Sequence, residues 1–174
     1  MTDQVPFGGR DYGVLLAVLL VGRGADFLST WVATPTLLLE ANPLARRMGW
    51  KGGAVVNLLA CFLCALWPLP AIVVATTSLL VAARNFQSAW LMRTMGEYRY
   101  QAWMVERVQE THLGLYLFCI LAQTLLPGAI GAVLVWFSGN WLIPLAIGMG
   151  IITYAFAVAF YTLLSVWRLY RSRH

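Results

Sequence analysis

The chain has 174 residues, of which 60% are hydrophobic and only 11% charged, with a formal net charge of +5. Soluble domains carry about 25% charged residues, so this composition excludes an ordinary soluble domain and indicates a membrane protein. The length suits one membrane domain over 1–174 without a second soluble one, and the basic excess is explained by topology rather than by nucleic-acid binding.

Runs of about 20 apolar residues mark membrane helices. Five are predicted, at about 12–33, 52–68, 70–93, 113–137 and 141–167. The first ten residues lack a basic leader, so no cleavable signal is expected. The first span contains "VLLVGRGADFLSTWV" (Val18–Val32), apolar except near its middle. There Arg23, Asp26 and Thr30 follow i, i+3, i+7 spacing and share a helix face. Small neighbours, Gly22, Gly24, Ala25 and Ser29, invite close approach of another helix.

The next stretch, "LLLEANPLARRMGW" (Leu37–Trp50), places Asn42 before Pro43. Asparagine is a good N-cap and proline a good first helical residue. A short helix over 43–48, closed by Gly49, is therefore expected. Glu40 lies just upstream, at the mouth of the first span. The second span carries Asn57 and ends at "WPLP" (Trp67–Pro70), a turn enforced by two prolines. Its Cys61-Phe-Leu-Cys64 is a CxxC in apolar surroundings, which raise a thiol's pKa, so both cysteines are read as small buried hydrophobes. The third span carries Arg84 and Asn85.

Segment 94–112 is too polar to span. Tyr98, Ala102, Val105 and Val108 recur at helical spacing, so it reads as a connector helix at the membrane surface. Glu106 and Glu110 share a face with Arg107 as counterion, followed by His112. The only other histidine is His174. Zinc needs at least three protein ligands, so no zinc site, no bis-histidine haem and no other cofactor is expected. The last two spans are nearly free of charge and read as scaffold.

Nine of the twelve basic residues fall in 33–52, in 93–112 or in the tail, at Arg168, Arg171 and Arg173. The connections at 67–70 and 138–140 hold none. The positive-inside rule then places the N-terminus outside and the C-terminus in the cytoplasm of a cell with these spans in its inner membrane. Five spans demand the same arrangement. Tryptophans fall at span ends or in the inner segment, as an aromatic belt requires.

Charges within spans are rare and face partners or a site. At 1.5 Å per residue, Asp26, Asn57 and Arg84 come to about one depth in the inner half, with Arg23 and Asn85 within about a turn. Asp26 is expected to pair with Arg23, Arg84 or both, which leaves one positive charge over. Either the charges lock helix packing, or they form an anion-accepting pocket of Arg23, Asp26, Thr30, Glu40, Asn42, Asn57, Arg84 and Asn85.

Asp26-Phe-Leu-Ser29-Thr30 followed by Glu40-Ala-Asn42-Pro43 resembles the signature of an uncharacterised family of small prokaryotic multi-pass membrane proteins, Asp-x-x-(Ser/Thr)-Thr then Glu-x-Asn-Pro. The resemblance covers roughly 15–95. It directs attention to Asp26, Thr30, Glu40 and Asn42 without implying a substrate. Three functions stay open. The first is binding or transport of a small anion or lipid headgroup. The second is an enzyme acting on a lipid or isoprenoid phosphate. The third is a structural subunit that packs against its own copies or a larger membrane complex.

Overall fold

The computed structural model describes residues 4–171, with side chains as far as Leu164. Trp167, Arg168, Arg171 and Arg173, used above to orient the chain, lie outside the described side chains. Among the described residues every regular element is a helix: α1 (Arg10–Ala33), α2 (Pro43–Cys64), α3 (Pro68–Met95), α4 (Glu97–Glu110), α5 (Leu113–Phe137) and α6 (Leu142–Arg171). The all-α expectation holds. Among the described residues four helices are long and apolar enough to cross a membrane: α1, α3, α5 and the Leu142–Leu164 part of α6. The region predicted as a second span lies in α2, whose first turns carry Arg46, Arg47 and Lys51, and it does not meet that standard.

Local chemistry sets the boundaries of α2 and α3. The Asn42 side chain accepts a hydrogen bond from the Leu44 amide at 3.0 Å, and Pro43 occupies the first helical position. Gly49 has φ 65° and ψ −173°, which breaks α2 into the expected short helix and a longer arm that ends at Cys64. Only glycine takes that conformation at little cost. Beyond it, Trp50 stacks edge-on against Phe27 of α1, with ring centroids 4.9 Å apart, and donates to the Pro35 carbonyl at 2.8 Å. Further along the arm, the Phe62 carbonyl accepts from Tyr12 at 3.3 Å. The arm therefore runs antiparallel to α1.

α3 is the centre of the assembly. Its small buried residues Ala71, Ala75, Ser78, Ala82 and Ala89 form a stripe that receives α1. A Cβ on Gly22 would come within 3.1 Å of the Ala75 carbonyl oxygen, so only glycine permits this crossing without displacement. Contacts then advance together along both helices: Arg23 to Ser78, Ser29 and Thr30 to Asn85, and Trp31 to Arg93, whose guanidinium lies 5.7 Å from the indole. α1 and α3 are therefore parallel. On a neighbouring face of α3, the Thr77 hydroxyl lies 2.9 Å from the Gly150 carbonyl of α6, and Gly150 fits against Thr76. α6 packs in turn on α5 through Gly131 and Gly148, where a Cβ on either would lie 2.7 Å from the other's carbonyl oxygen. α5 has no extended packing on α3.

Candidate functional site

The polar side chains within the helices fall into two groups rather than one. The first centres on Arg23. Its Nη1 donates to Asp26 Oδ2 at 2.9 Å and to Ser78 Oγ at 3.0 Å; its Nε donates to Asn57 Oδ1 at 2.7 Å, and Nη2 donates to the same oxygen. Four of the five guanidinium N–H groups are thus engaged by α1, α2 and α3. The Asn57 amide nitrogen is also occupied, donating to the Gly53 carbonyl at 2.8 Å. With Asp26 as counterion the group is neutral. The Arg23 and Asp26 side chains are 29% and 19% exposed, low enough that water does little to weaken the pair. A buried ion pair is tolerated where its remaining hydrogen-bonding groups are satisfied, as here.

Arg84 belongs to a different face. Its Nη2 lies 3.4 Å from Thr162 Oγ1 on α6. Among the described residues no carboxylate lies within ion-pair distance of it. The expected alternative partnership of Asp26 with Arg84 is therefore corrected: Asp26 pairs with Arg23. The cause is azimuth. Successive helical residues are turned by about 100°. Arg84 follows Thr77 by seven residues and shares its face toward α6. Asn85 follows Ser78 by seven and faces α1, where it donates to Ser29 and Thr30 at 3.3 and 3.4 Å.

Of the remaining predicted residues, Glu40 and Asn42 lie on the connection between α1 and α2, and Thr30 lies within α1. Glu40 accepts from the Asn42 amide at 2.8 Å, closing the turn that Asn42 then caps. Thr30 joins Asn85.

No protein-family model, curated protein or solved structure matches the chain.

Three participants were not singled out from the sequence. Ser78 and Thr162 are ordinary hydroxyls within spans, with nothing in their local sequence to distinguish them. Glu97 is the third. Its carboxylate gathers the loop after α1, accepting from Thr34 Oγ1 at 2.6 Å, Thr36 N at 2.9 Å, Thr36 Oγ1 at 2.8 Å and Leu38 N at 3.1 Å. Burial pushes the Glu97 carboxyl up, but these four hydrogen bonds outweigh it and hold the group below its ordinary value. Glu97 opens α4, where a helix N-terminus also favours negative charge. On the outer face of α4, Arg107 pairs with Glu106 and Glu110 at 3.4 and 2.7 Å, and His112 accepts from the Gly114 amide. These are local surface contacts and carry no ligand argument.

Proposed function

We propose that the protein is a five-span inner-membrane protein, N-terminus outside and C-terminus in the cytoplasm, that binds an anionic group at Arg84. The observation that carries this reading is the contrast between its two intramembrane arginines. Arg23 is neutralised by Asp26 and nearly saturated with hydrogen bonds, whereas Arg84 has one long contact to a hydroxyl and, among the described residues, no carboxylate. A charge within a span is costly unless it meets a partner, and an anion supplies one.

The fifth crossing is supported by direction. α1 and α3 run parallel, so if both cross, the chain must return between them, and the arm of α2 runs back along α1. Catalysis is disfavoured by the same geometry, because Asp26, the carboxylate in the middle of a long apolar helix, is engaged by Arg23 on another face of α3, and Asp11 lies in the first turn of α1 at its far end. For the Arg23–Asp26–Asn57–Ser78 group, saturation favours a structural role: it fastens three helices.

Thermal unfolding in neutral detergent tests the reading, with inorganic phosphate and a short-chain phosphatidic acid as ligands. A ligand at a hundredfold excess over its Kd stabilises by about 2.7 kcal/mol, or about 5–10 °C for a protein of this size. At least one ligand should stabilise the wild type, and Arg84→Gln should abolish the effect. Equal stabilisation of both proteins, or of neither, refutes an anion site at Arg84.

A further inference from the structure

We infer that the occupant of this site is an anionic phospholipid of the inner leaflet, its phosphate against Arg84 and Thr162. The inference rests on the reading of Arg84 given above and adds the source of the anion. Three observations support it.

The first is depth. From Leu142 to Thr162 α6 descends about 30 Å. The hydrocarbon layer is about 30 Å thick. The hydroxyl beside Arg84 therefore sits at the inner rim of that layer, next to the level of the lipid phosphates. Measured down α3 from Pro68, the Arg84 backbone is about 24 Å in, and its long side chain can bridge the remainder by reaching toward the headgroups.

The second observation is access. α5 meets α6 at Gly148 and Ile152, whereas α3 meets it at Gly150, and α3 and α5 are not extensively packed on one another. Arg84 is only half-buried. Within a span it is reached from the surrounding lipid, a phase that a phospholipid already occupies. The third is charge. The guanidinium has no carboxylate among the described residues, a phosphodiester accepts paired N–H donors from arginine, and a hydroxyl at Thr162 stands beside it. A zwitterionic headgroup brings its own cation and gains less, so the lipid should be net anionic.

Native mass spectrometry of the full chain, released from micelles containing equal phosphatidylcholine and phosphatidylglycerol, tests this. The wild type should retain one phosphatidylglycerol in preference to phosphatidylcholine. Arg84→Gln should reduce that retention about tenfold or more, the effect expected for losing a charge-assisted contact. Thr162→Val should reduce it less. Arg84→Lys keeps the charge and should keep part of the preference, which decides the matter if the glutamine variant does not fold. Equal retention of the two lipids by the wild type overturns the inference. So does unchanged retention in Arg84→Gln. If inorganic phosphate stabilises the wild type through Arg84 but no lipid is retained, the anion site stands and its lipid source is refuted.

Discussion

Removing one member of the Arg23–Asp26 pair strands the other inside the helix bundle. In Asp26→Asn the guanidinium keeps Asn57 and Ser78 as acceptors but loses its counterion. In Arg23→Gln the carboxylate is left without its ion-pair partner. Breaking a buried pair costs about 3–5 kcal/mol. With side chains 29% and 19% exposed, the lower end applies, about 3 kcal/mol for each variant. At 2–4 °C per kcal/mol, each should lower Tm in neutral detergent by about 6–12 °C. The double variant removes both charges and should recover at least half of the summed loss. The same cycle between Asp26→Asn and Arg84→Gln should be additive, because Arg84 faces α6. Strong coupling to Arg84, or additive losses for Arg23 and Asp26, would refute the two-group description.

Four further outcomes are expected. Glu97→Gln should release the loop after α1, seen as amide exchange at Thr36 and Leu38 faster by about tenfold or more. Because the Glu97 carboxyl is held below its ordinary value, its contribution is complete above that ordinary value and is lost as pH falls through the lowered one; the wild-type loop should loosen only in acid. Asn42→Ala should cost about 1 kcal/mol of local stability by losing the cap on Leu44, with Asn42→Asp near neutral, both read from amide exchange at Leu44. Gly131→Ala presses a methyl onto the Gly148 carbonyl and should lower Tm through a cost of about 1–3 kcal/mol. A reporter active only in the cytoplasm should work when fused after His174, and activity of a periplasm-only reporter there would contradict the proposed orientation.

Features set by neighbouring residues were legible in the sequence. Asn42-Pro43 announced a cap and a helix start, Gly49 its end, and the prolines of 67–70 the start of α3; each depends on backbone chemistry over a few positions. The charged set was legible as a list and only partly as an arrangement. Depth along a helix follows from counting, but which neighbour a face meets depends on packing. Asp26 therefore meets Arg23, one of its two expected partners, while Arg84 turns to α6. Glu97 was missed because its partners are loop amides and hydroxyls about sixty residues upstream, a relation with no periodicity to detect. The short helix over 43–48 and the span from 52 were read as separate elements, and the structure joins them into one helix kinked at Gly49.

The Arg23–Asn57 hydrogen bonds join two helices whose apolar lengths are interrupted by charge. On insertion scales an arginine or aspartate at a helix centre costs about 2.5–3.5 kcal/mol, and α1 carries one of each near its middle, Arg23 and Asp26, while α2 carries three basic residues near its start. The acceptor that saturates the α1 guanidinium is not made until Asn57 has been synthesised. At about 5–20 residues per second, that delay after Ala33 is a few seconds at most. α1 and α2 are thus suited to leave the translocon as a hairpin, each masking the other's polarity. A nascent chain stopped before Asn57 should be extracted from membranes at alkaline pH more readily than one stopped after Trp67.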